Sequence, residues 1–127
     1  MKEILKNYRI AVASSDGVNI DLHFARASTF YIYEIGDKTY EFLELRNIDA
    51  ILRHDEYEFD RVLKSLEDCG AVIVSQIGIG ALASVASKGL RVFEAPYPIE
   101  SVLNKLVNED ILNRDDNKNY QISNNIS

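Results

Sequence analysis

AVIVSQIGIGALASVASKGLRVFE, from Ala71 to Glu94, joins a short apolar run, a glycine-bearing loop, a helix-forming segment and a second apolar run. Ala71 to Ser75 (AVIVS) is too short for a helix and is apolar at successive positions. That is the mark of a strand buried on both faces. Gly78 and Gly80 lead into a helix over Ala81 to Ser87, and Gly89 stands where a C-terminal cap belongs. Leu90 to Glu94 (LRVFE) then returns as another strand. A strand, helix and strand in this order imply parallel strands joined by a right-handed crossover, so the chain is an α/β protein.

On the carboxyl-terminal side, Pro98 starts a further helix in which Ile99, Val102, Leu103 and Leu106 share a face. On the amino-terminal side, Phe59, Val62, Leu63 and Leu66 do the same behind a capping box formed by Asp55 and Glu58. The segment Arg46 to Asp55 has no clean period. Before it, Thr29 to Ile35 (TFYIYEI) and Thr39 to Leu45 (TYEFLEL) flank Gly36-Asp37-Lys38 and read as a β-hairpin. Tyr8 to Ser14 (YRIAVAS) reads as a buried central strand that ends in the turn-forming cluster Ser15, Asp16, Gly17. The order β β β α β α β α predicts a mixed five-stranded sheet with helices packed on it, over residues 1–112. The remainder, 113–127, is polar and asparagine-rich and is expected to be a disordered tail.

Composition narrows the function. Of 127 residues 46% are hydrophobic and 27% charged, which fits one globular domain with a sizeable core. A single cysteine, Cys69, cannot form an internal disulfide, so a reducing, cytoplasmic setting is expected. No stretch is long enough to span a membrane and no signal-peptide core opens the chain. The net charge of -6 comes from mixed acids and bases without a basic block, which argues against nucleic acid as a partner.

If the later strands run parallel to the first, one end of the sheet gathers Ser14 to Arg26, the irregular segment with Arg53 and His54, the loop QIGIG, and Pro96-Tyr97. Ligands of open α/β sheets bind at that end. His23, in DLHFARA, has no strand or helix period to serve, and a neutral imidazole is a ready metal ligand that Asp21 can orient. The plain alternative is a loop histidine bonded to nearby backbone. His54 is a second candidate ligand, or only a surface residue, and Arg26 and Arg53 can offset an anionic guest. Gly78 and Gly80 either admit an anion to a helix start or serve only a tight turn. Cys69 precedes the Ala71 strand and so falls at the opposite edge, where it reads as a small packed residue. No nucleophile with an adjacent base stands in a recognisable motif, and Glu34 and Glu44 alternate with apolar residues as outward positions do.

The stretches IAVASSDGVNIDLHFARASTFYIYEI, LEDCGAVIVSQIGIGALASVASKGL and VFEAPYPIESVL together resemble the dinitrogenase iron-molybdenum cofactor biosynthesis family, from Arg9 to about Val107. The pattern Ser14, Ser15, Asp16, Gly17, Asp21, His23, Phe24, Arg26, Ala27, Phe30 carries most of the likeness; Ala25 replaces the glycine usual after His-Phe. The resemblance implies a ribonuclease H-like mixed sheet. It implies, too, a protein that binds or carries an iron-sulfur or iron-molybdenum-sulfur cluster without catalysis, with His23 as a cluster ligand. Metallocluster donor and acceptor proteins are then the expected partners, and the chain itself a monomer or weak homo-oligomer. The expected docking place comprises His23 and His54 for the metal and Ser14, Ser15, Asp16, Asp21, Arg26, Gly78 and Gly80 around it. Two rival readings remain at this point: a sensor that takes an anionic metabolite on the glycine loop, and a metal-dependent nuclease on the same fold.

Overall fold

The structure is a computed structural model that describes residues 8–48, 58–113 and 119–121. Its strands are β1 (Tyr8–Ala13), β2 (Thr29–Ile35), β3 (Tyr40–Asn47), β4 (Ala71–Val74), β5 (Arg91–Glu94) and β6 (Asn119–Gln121), and its helices α1 (Glu58–Ser65), α2 (Ile79–Ser87) and α3 (Ile99–Asn108). They form one sheet in the order β3-β2-β1-β4-β5-β6. The hairpin β2-β3 joins antiparallel to β1, while β4, β5 and β6 follow parallel.

Alternation along the central strands produces two cores. Ile10, Val12, Ile73 and Phe93 face α3 with its Val102, Leu103 and Leu106. Ala11, Ala13, Val72 and Val74 face the other way, toward Val62 and Leu63 of α1, Leu66 just after it, and Ala81 and Val85 of α2. A strand buried on both faces has no polar position to spare, which is why AVIVS and IAVA read as unbroken apolar runs. Gly89 takes φ +80 as the cap of α2. There the Leu90 N–H reaches back to the Val85 carbonyl at 3.3 Å, as in a Schellman turn.

Three features differ from the sequence pattern by more than one residue. β3 runs on to Asn47, because Phe30 and Thr29 of β2 continue the ladder opposite Arg46 and Asn47. α2 begins at Ile79, with Gly78 as its N-cap, two residues before the apolar face that revealed it. The sheet has six strands where five were expected: Asn119–Gln121, inside the stretch expected to be disordered, pairs with Val92–Glu94. Pairing at a sheet edge uses backbone groups alone, so polar composition hides it. The capping residue Asp55, together with Arg53 and His54, lies outside the described residues.

Candidate functional site

The carboxyl ends of β1, β4 and β5 lie at one end of the sheet, as their parallel register requires. The loop 14–28 crosses that end, and hydrogen bonds to both neighbours hold it there. Toward α3, the Ile99 N–H donates to the Val18 carbonyl at 2.8 Å and the Ile20 N–H to the Tyr97 carbonyl at 3.0 Å. Toward β4, the Ser75 N–H donates to the Leu22 carbonyl and the Phe24 N–H to the Gln76 carbonyl, both at 3.0 Å. His23 and Gln76 therefore form a parallel bridge, which puts the imidazole-bearing residue beside the entry to the glycine loop. Phe24 anchors this crossing by burying its ring completely, whereas His23 itself is exposed.

The serines and aspartates of the loop build its shape. Ser14 is fully buried, and its Oγ accepts the Gly17 N–H at 2.9 Å while donating to Asp16 Oδ1 at 3.1 Å. The Asp16 carboxylate accepts the N–H groups of Val18 and Asn19 at 2.8 and 2.9 Å. Those two backbone bonds, Asn19's first, pull its pKa below the ordinary carboxylate value. Ser15 donates both its N–H and its hydroxyl to Asp21, one to each oxygen. Asp21 thus clasps Ser15 with both oxygens. Gly17 is required on two counts: φ is +77, and a Cβ would lie 2.8 Å from the ring of Tyr31.

Gly78 and Gly80 contrast with it. Gly78 has an ordinary extended backbone at φ -77, and Gly80 lies within α2. A Cβ at either would meet nothing within 4 Å. Neither a tight turn nor close packing therefore explains them, and the space they leave opens onto the first turn of α2. Among the described residues no side-chain cap is bonded at the N-cap Gly78, and the N–H groups of that turn lie at the positive end of the helix dipole. One feature that the sequence did not reveal is Glu94, whose carboxylate accepts the Ile77 N–H at 2.9 Å and fixes the loop between β4 and α2. A glutamate closing a buried strand was the available signal.

Two further observations bear on a guest. Ser75 Oγ is buried at the exit of β4 with no hydrogen-bond partner among the described residues. Val18 and Ile79 keep 60% and 87% of their surface exposed, giving this polar rim apolar shoulders. Together with an open imidazole, these suit an anionic guest with soft atoms. Among the described residues, no three His, Cys, Asp or Glu side chains gather as a metal site. Arg26 is exposed on the same loop.

Cys69 lies at the other end, just before β4, lining a cavity of about 560 Å³ with Leu63, Leu66 and Leu90. Burial, then the neighbouring Asp68 carboxylate, push its thiol up to about 12, so it is an unreactive group at neutral pH. Among the described residues no helix is long and apolar enough to cross a membrane.

A mixed sheet covered by helices, with its polar loops at the strand exits, defines an α/β domain of the open-sheet class. Within that class the chain belongs to the dinitrogenase iron-molybdenum cofactor family, whose model matches residues 6–109. It is 30% identical over 110 residues to Protein NifX of Rhodobacter capsulatus, covering 80% of this chain and 69% of that one. It is 29% identical over 106 residues to the FeMo cofactor biosynthesis protein NifB of Frankia alni, covering 79% of this chain but only 20% of the relative. Among solved structures, PH0822 superposes with a TM-score of 0.64 at 19% identity, covering 80% of this chain and 91% of that one. The mj0327 protein of Methanocaldococcus jannaschii does so at 0.57 and 18%, with coverages of 82% and 91%. At such identities the structural likeness speaks for the fold.

Proposed function

We propose that the protein binds a preassembled iron-sulfur or iron-molybdenum-sulfur cluster at the strand-exit rim and passes it on, with no reaction of its own. One observation carries this reading: His23 is exposed while its backbone is bridged to Gln76, beside a glycine loop that the fold does not need. The imidazole supplies one ligand to an outer metal. The N–H groups at the start of α2 face the sulfides or other anionic atoms of the cluster. A cluster brings most of its own coordination, so a carrier with few protein ligands can release it to an acceptor. The names of the NifX and NifB relatives support a place in cofactor assembly, with donor and acceptor proteins as partners in a reducing cytoplasm. The chain spans about a fifth of the Frankia alni protein, so the activity of that whole protein is not carried over.

The test is anaerobic reconstitution with iron and sulfide, reading iron and acid-labile sulfide per chain. Wild type should load, His23→Ala should lose most of its iron, and His54→Ala addresses the second histidine. Equal loading of wild type and His23→Ala would remove the imidazole from the mechanism.

A further inference from the structure

β3 ends the six-stranded sheet, and among the described residues nothing pairs with its outer side. It is eight residues long, YEFLELRN, with no proline to remove a backbone donor, and its charges are Glu41, Glu44 and Arg46. Phe42 and Leu45 leave 49% and 46% of their surface exposed. Both stand on the face that carries Tyr31 and Tyr33: Phe42 pairs with Tyr33 and Leu45 with Tyr31 across the hairpin. The Phe42 ring lies 5.9 Å from that of Tyr31 and 5.6 Å from that of Tyr33.

Residues three apart on a regular strand point to opposite faces. Here the register shift between Ile32 and Tyr33 leaves Leu43 as an extra residue, so Phe42 and Leu45 come to share a face. The same shift leaves Glu41 and Arg46 together on the other face, opposite Glu34 and Phe30.

We propose that this edge pairs with a second copy of the chain, antiparallel and about a two-fold axis between Leu43 and Glu44. In that register Phe42 lies opposite Leu45 of the second copy, and Glu41 opposite Arg46 of the second copy. Tyr40 then meets Asn47, and at the centre Leu43 meets Glu44 on the face shared with Glu41 and Arg46. Every pair joins residues of one face, which the two-fold axis demands, and it is the bulge that permits it. A slip of one residue either way joins opposite faces: one direction sets Phe42 against Arg46, and Glu44 against its own copy, and the other sets Phe42 against Glu44 and Glu41 against Leu45. Directly opposed like charges destabilise a strand pair. A single strand pair is a small interface, so the dimer is weak and depends on concentration.

The experiment is sedimentation of the full chain from about 10 µM to about 1 mM, the range in which a weak strand-edge dimer forms. The mass should rise from 14.4 kDa toward twice that value. Leu45→Lys, an exposed position, should abolish the rise, and Glu41→Arg should weaken it. Combining Phe42→Glu with Leu45→Lys restores an opposed pair in both halves and should recover association. A single-chain mass throughout, or association that survives Leu45→Lys, overturns the proposal. Loss without recovery in the double variant overturns the register.

Discussion

Two loops meet at the strand exits, and they are built on opposite terms. The loop 14–28 is braced by backbone bonds to α3 and β4 and by the clasps of Ser14 with Asp16 and of Ser15 with Asp21. Its glycine is demanded by backbone conformation and by the Tyr31 ring. The loop from Gln76 into α2 has the Glu94 clasp on Ile77, and a Cβ at either of its glycines would meet nothing within 4 Å. A residue that the fold requires says little about function. Glycines that the fold does not require, beside an exposed imidazole, are where a guest has room.

The contrast can be broken most forcefully at Gly17. Gly17→Ala places a Cβ at positive φ against Tyr31, and should lower stability by roughly 1–3 kcal/mol. Thermal or urea unfolding reads it, and an unchanged midpoint would mean that the loop is not held as described. Gly80→Ala sharpens the contrast from the other side. Within α2 it should raise stability by about 0.5–1 kcal/mol through helix propensity, while iron loading falls because the added methyl enters the open space. Unaltered loading would leave the glycine loop out of the site.

The smallest effect is with acid. Asp16 has a folded pKa below its unfolded one, so its contribution is present in full above the unfolded value and is lost as pH falls through the folded one. Below about pH 4, Asp16→Asn should therefore show a flatter loss of stability than wild type. Asp68 behaves likewise, because Arg46 first, and then Arg9, hold its carboxyl well below the usual range. That background persists in both proteins and cancels in the comparison.

Much of the fold was legible because it rests on side-chain pattern. The doubly buried runs at β1 and β4, the β2-β3 hairpin, the α3 face and the Gly89 cap follow from residue type and spacing. The end of the sheet that carries His23 followed from topology. What stayed hidden depends on backbone groups that any residue carries: the ties from Val18 to Ile99 and from Leu22 to Ser75, and the pairing of β6. Ser14, Ser15, Asp16 and Asp21 were expected around a guest, and their hydrogen bonds to one another and to the backbone, which shape the loop, were not foreseen. Nor could the sequence choose between two reasons for Gly78 and Gly80, since only the surroundings of the missing Cβ distinguish them.

Cluster carriage by this fold depends on the imidazole of His23 touching metal. Since the chain has two histidines, isotopically labelled histidine in a His54→Ala background leaves one labelled side chain. Loaded with a paramagnetic iron-sulfur cluster, that protein should show, by electron-nuclear double resonance, hyperfine coupling to the labelled imidazole nitrogen. A loaded cluster with no such coupling would contradict ligation by His23.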